Sequence, residues 1–212
     1  MKQDNVNRVL QTLGEMFPDA DCELNHTNPF ELLCAVVLSA QTTDASVNVV
    51  TPALFERWPD AKALAQADVK DVGETIRSIG LYRNKARNLI KLSRVLVEDY
   101  DGEVPANFKK LVELPGVGRK TANVVMAVAF DVPSMPVDTH VSRIAKRLGF
   151  AKWDDDVDVI ERKLKRYLPR DCWNKAHHQF IFFGRYHCTA RRPNCPECPL
   201  KDMCKEPNKT DA

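Results

Sequence analysis

The sequence predicts an all-α fold. Three observations carry this: capping residues recur ahead of apolar runs, apolar side chains repeat at helical spacing, and alternating strand patterns are scarce. With 44% hydrophobic and 28% charged side chains in 212 residues, the chain can bury a sizeable core.

The elements follow in order. Asn28-Pro29-Phe30-Glu31 reads as a helix start, with Asn28 as N-cap, Pro29 at the first helical position and Glu31 closing a capping box. Asp44 caps a second helix running toward Trp58. Asp68 to Ile79 and Asn84 to Tyr100 place apolar residues such as Ala86, Ile90 and Leu96 on one face. Asn107 to Leu114 and Lys120 to Phe130 form two shorter helices, and Asp138 to Leu148, Asp156 to Leu168 and Asp171 to Tyr186 complete the set. The stretch Asp131 to Pro136, with two prolines, is the best internal break.

The net charge of +2 is uninformative, but its distribution is not. Residues 1–76 carry a net −7 and residues 141–192 a net +7. Such asymmetry suits one basic face meeting a polyanion, and it also suits ordinary solvated helix faces. No apolar run is long enough to span a bilayer, and the N-terminus lacks a secretory signal. The expected location is therefore inside the cell.

Between two helical patterns lies Leu114-Pro115-Gly116-Val117-Gly118-Arg119-Lys120-Thr121-Ala122. Pro115 ends the first helix. Gly116 and Gly118 permit positive φ and leave the backbone bare. The N–H groups opening the next helix are then free to hold a phosphate. The spacing is too short for a nucleotide-binding P-loop. Lys120 falls in the first turn, where the helix dipole opposes a positive charge. A neutral amine there can attack a sugar carbon and form a Schiff base. On the residues alone a solvated or phosphate-binding lysine is the favoured reading, because most lysines are solvated.

Asp138, in Val137-Asp138-Thr139-His140, suits an N-cap. A capping carboxylate is held in one orientation, so it can also stabilise positive charge on a sugar or move protons. His140 has no second histidine at ligand spacing and reads as structural or phosphate-facing.

The seven cysteines are an odd number, against a disulfide framework. Four of them form Cys188-x₆-Cys195-x₂-Cys198-x₅-Cys204. Four thiolates in one short loop can close around a metal, and ligand chemistry alone leaves zinc and an iron–sulfur cluster both open. Arg191 and Arg192 lie in the first gap, where a rigid loop would turn them to a phosphate backbone.

Taken together, the hairpin string, the Val-Asp-Thr-His string, the cysteine spacing, and the stretches Leu38 to Asp44 and Ile79 to Ala86 resemble the endonuclease III family of helix-hairpin-helix DNA glycosylases. The resemblance covers nearly the whole chain. It implies two domains flanking a cleft: a six-helix barrel at about 22–132, and a cluster domain joining 1–21 to 133–212. It implies a [4Fe–4S] cluster on the four cysteines and Lys120 facing Asp138 across the cleft. It implies excision of oxidised pyrimidines from double-stranded DNA, followed by β-elimination through a Lys120 Schiff base. Gln41 would fill the gap left by a flipped nucleotide and Leu81 would wedge the opposite strand. Gly116, Gly118, Arg191 and Arg192 would hold phosphates. The protein would act as a monomer in the cytoplasm, with the nucleoid.

Two other readings share features with this one. A monofunctional adenine-mismatch glycosylase typically lacks a lysine at the hairpin position and adds a C-terminal domain. A non-enzymatic DNA-binding module would use the hairpin for phosphate and the cysteines as a staple. An electron-transfer ferredoxin leaves most of the chain without purpose.

Overall fold

The computed structural model describes residues 1–207 and 209. Among them the regular structure is helical throughout, with no strand. The chain divides into two compact units, residues 22–131 and residues 1–21 with 132–212.

The first unit holds α2 (Pro29–Leu38), α3 (Asp44–Arg57), α4 (Ala61–Ala65), α5 (Val69–Thr75), α6 (Tyr82–Tyr100), α7 (Phe108–Glu113) and α8 (Arg119–Phe130). Every residue of α2 from Leu32 to Leu38 is buried. A helix apolar on all sides belongs at the centre of a core. It packs on α8, while α4 and α5 pack on α6.

Local capping chemistry sets most of the starts. Asn28 Oδ1 accepts from the Glu31 N–H at 2.9 Å. Asp60, Asp68 and Asn107 accept from first-turn N–H groups in the same way. Two expected caps shift. The Glu31 carboxylate reaches past Asn28 to the Thr27 N–H (2.7 Å) and hydroxyl (2.9 Å), so the box closes one residue earlier. The cap of α3 is Thr43, whose Oγ1 accepts from the Ser46 N–H, and Asp44 becomes the first helical residue. There its charge favours the positive end of the dipole. The helix expected to reach Ile79 stops at Thr75, and tight turns at Arg77 and Ile79 carry the chain onward.

The second unit holds α1 (Gln3–Met16), α9 (Thr139–Arg147), α10 (Val157–Tyr167) and α11 (Trp173–Phe182). Its core joins Val6, Val9 and Leu13 of α1 to Ile144, Phe150, Leu164, Phe180 and Phe183. Phe150 meets Phe180 edge to face at 5.7 Å.

The helix expected over Asp171 to Tyr186 is broken into three pieces. A 3₁₀ turn at Arg170–Cys172 leads into α11, and a π turn at Phe183–His187 follows. The π turn brings the backbone of Gly184 against α9. A Cβ there would lie 3.0 Å from His140 Cβ, and the Gly184 carbonyl accepts from Arg143 Nη2 at 2.7 Å. A side chain there would have to push the His140 and Arg143 side chains aside by a few tenths of an ångström.

Candidate functional site

In the first unit the hairpin joins α7 to α8. Gly116 has φ +81°, and a Cβ on it would sit 3.0 Å from Asn88 Nδ2 and 3.1 Å from Asn88 Cβ. Gly118 differs from expectation. Its φ is −88° with ψ 174°, an extended N-cap conformation open to any residue. What its missing side chain leaves is room: nothing lies within 4 Å of where a Cβ would be. No side chain caps α8, so its first N–H groups stay open to an external anion.

Lys120 is the second residue of α8 and is exposed. Its neighbour Arg119 leans over the Phe108 ring at 5.6 Å, which turns the guanidinium back toward α7. Glu113 is exposed at the end of α7.

Two further candidates in this unit share an unusual backbone. Gln41 has φ +55° and Leu81 φ +59°. Both are exposed, Leu81 at 59%. Left-handed backbone and an exposed leucine together are uncommon away from functional surfaces.

In the second unit Asp138 caps α9, its Oδ1 accepting from the Val141 N–H at 2.8 Å. The side chain is half-buried. His140 Nδ1 lies 3.3 Å from Arg143 Nη2. Burial pushes the His140 imidazole below the usual histidine value; Asp138 pulls the other way, and Arg143 and Arg185 add to the lowering.

The four C-terminal cysteines line one cavity. Cys188 and Cys198 are both raised, chiefly by burial. Charges at Cys188, Cys204 and Cys195 raise Cys198 further, so the sulfurs lie within electrostatic reach of one another. Four deprotonated thiols at that spacing repel, and a cationic centre relieves the repulsion.

Among the described residues no three Cys, His, Asp or Glu side chains converge on a single ion position. A mononuclear zinc site needs all four sulfurs on one point, whereas in a cubane each iron takes its own thiolate. His187 also lines the cavity, stacked on Phe183 at 5.1 Å, and its Nε2 is sealed from solvent with no hydrogen-bond partner among the described residues. A sulfide or thiolate acceptor would satisfy it. The residues therefore fit an iron–sulfur cluster.

The loop is braced by α9. Arg147 is 7% exposed. Its Nη1 donates to Cys188 Sγ at 3.2 Å and to the Thr189 carbonyl at 2.9 Å, and its Nε to Glu206 at 2.7 Å. Burial pulls this guanidinium down, but Cys188 and Glu206 outweigh it and leave it raised. The Lys205 N–H donates to the Arg147 carbonyl at 2.6 Å. Arg191 and Arg192 lie in the first gap of the loop, exposed and without an ion-pair partner among the described residues. The sequence does not single out Arg143, Arg147 and His187, because the carbonyl, thiol and carboxylate that the two arginines hold lie 41 or more residues away and the surroundings of His187 exist only in the folded cavity.

Residues 34–170 match the HhH-GPD superfamily of base excision DNA repair proteins, and residues 188–204 match the iron–sulfur binding domain of endonuclease III. The chain is 54% identical to endonuclease III of Bacillus subtilis (strain 168), over 97% of this chain and 94% of that one. It is 44% identical to endonuclease III of Escherichia coli (strain K12), over 96% of each. A solved structure of a trapped endonuclease III–DNA covalent intermediate superposes with a TM-score of 0.93 at 53% identity, covering 97% of this chain and 96% of that one. A thermostable thymine-DNA glycosylase shares the fold, with a TM-score of 0.86 at 22% identity. The chain thus belongs to the endonuclease III family of HhH-GPD base excision DNA repair proteins, and carries that family's iron–sulfur domain.

Proposed function

We propose that Lys120 is the nucleophile with which this chain, a base excision DNA glycosylase and AP lyase, removes oxidised pyrimidines and opens the resulting abasic site. The observation that carries the assignment is the place of Lys120: exposed, in the first turn of α8, directly after an uncapped glycine hairpin. A phosphate held on the α8 N-terminus would bring the sugar of a neighbouring nucleotide to that amine. A relative 53% identical has been solved as a trapped covalent intermediate with DNA, which a lysine nucleophile accounts for.

The chemistry balances without an oxidant. The neutral Nζ attacks C1′, the C1′–N bond breaks, and the base leaves with the bonding pair and takes up a proton. Ring opening gives an iminium between Nζ and C1′. Loss of a C2′ proton then expels the 3′ phosphate, and water releases the lysine. Asp138, pinned by its Val141 hydrogen bond, supplies a negative charge as the sugar becomes positive.

Cys188, Cys195, Cys198 and Cys204 would hold a [4Fe–4S] cluster, which ties the loop and supplies no bond-making step. Arg191 and Arg192 on that loop, with Gly116 and Gly118 at the hairpin, would meet the phosphates. Gln41 and Leu81 would enter the duplex where the nucleotide is extruded. The unit at 22–131 would be the barrel domain and the other the cluster domain. No described helix is long and apolar enough to cross a membrane. This reading puts the protein on the nucleoid, as a monomer.

Borohydride reduction on thymine-glycol or abasic duplex tests the assignment. A covalent product is expected with wild type and none with Lys120→Ala. A product that survives Lys120→Ala moves the nucleophile elsewhere.

A further inference from the structure

Lys85 is an anomaly of the first unit. It stands in the first turn of α6 and is only 5% exposed. Among the described residues the one side-chain bond of its ammonium goes to Thr42 Oγ1, at 2.7 Å. Burial draws its pKa below the ordinary lysine value. A buried ammonium with a single hydroxyl partner opposes folding, and a methionine of similar length would pack without that cost. Stability alone gives no reason for a lysine here.

Its connections do. Thr42 follows Gln41 directly, and the Lys85 backbone N–H donates to the Leu81 carbonyl at 3.0 Å. Lys85 thus touches both turns that carry left-handed residues. Among the described residues four non-glycine positions have positive φ. Asp101 and Asp131 end helices, where that conformation is ordinary. Gln41 and Leu81 are the other two, and both are exposed. Strained, exposed turns persist only where their surroundings fix them.

We propose that Lys85 is a positioning residue, a buried strut that ties the Gln41 turn to the Leu81 turn so that both side chains are preset to enter a duplex together. The proposal rests on the DNA-entering reading of Gln41 and Leu81. The strut works by preorganisation: two turns already ordered pay less entropy on binding than two that must find each other on the DNA.

The test uses the full cluster-loaded protein and a duplex carrying a tetrahydrofuran abasic analogue opposite 2-aminopurine, whose fluorescence rises when it is unstacked. Lys85→Met and Thr42→Val are each expected to weaken duplex affinity by roughly tenfold and to flatten the fluorescence rise, on the scale of two ordered side chains. Thr42→Ser keeps the hydroxyl and restores both. The double variant Lys85→Met with Thr42→Val loses no more than either alone. The thermal midpoint of Lys85→Met holds or rises, and its trapping on a single-stranded abasic site, where no stack needs opening, changes by less than about threefold, or under 1 kcal/mol.

A Lys85→Met protein with wild-type affinity and fluorescence overturns the proposal. So does an equal loss on single-stranded and duplex substrate, or a loss that Thr42→Ser fails to restore, since either marks a general structural role. Gln41→Ala and Leu81→Ala proteins that keep the full fluorescence rise remove the premise instead, a separate and recognisable failure.

Discussion

The two units are stabilised by different means. The unit at 22–131 closes around side chains that are almost all apolar, from α2 outward, with Thr51, Lys85 and Ser93 its few buried polar residues. The other unit buries aromatic rings on one side and, beside them, Arg147 in a web of carbonyls, Glu206 and a thiol. The first core stands on the hydrophobic effect and needs nothing bound. The second leaves four sulfurs and a guanidinium facing a cavity, an arrangement that a cationic cluster completes. Chemistry and stability are separable in the first unit and joined in the second.

The largest effect expected from that contrast is on activity alone. Lys120→Ala should abolish borohydride trapping, while its unfolding free energy, read from urea melts, should move by less than about 0.5 kcal/mol because the side chain is exposed. A large drop in stability would mean that the hairpin is structural and the contrast false.

Iron removal should do the reverse. Chelation, or Cys198→Ala, is expected to cost several kcal/mol in the second unit, in the way that metal binding contributes folding energy. Hydrogen exchange should rise across α9 and α11 and stay slow across α2 and α6. Uniform exchange through both units would show a single cooperative core.

Arg147→Met tests the brace without touching a cysteine. It removes the Nε bond to Glu206 and the Nη1 bonds to Cys188 Sγ and the Thr189 carbonyl, at a cost of about 3–5 kcal/mol. The cluster's visible absorbance should bleach sooner on heating, and no bleaching difference would discount the brace.

Smaller changes probe the local geometry of each unit. Gly116→Ala meets both a φ of +81° and the Asn88 side chain, and should cost about 1–3 kcal/mol with a loss of DNA affinity. Asp156→Ala removes the N-cap of α10 and should cost about 1 kcal/mol, read as a lower melting midpoint with trapping intact.

What the sequence determined by itself is what short-range chemistry encodes. A capping oxygen and the N–H that donates to it lie two or three residues apart, so Asn28, Asp68, Asn107, Asp138 and Asp156 were legible as helix starts. The cysteine spacing was legible as a metal loop because its four ligands are close in the chain. Lys120 and the hairpin were legible as a string, but Gly118 was read for a conformation it does not adopt.

The tertiary structure decided everything that depends on distant partners. It broke the last helix so that Gly184 could meet His140. It brought Arg147 to Cys188 and Glu206, 41 and 59 residues away, and Lys85 to Thr42, 43 residues away. No local pattern marks such residues, because their environment is created only when the helices pack. A lysine at helical spacing reads as solvated until the fold buries it.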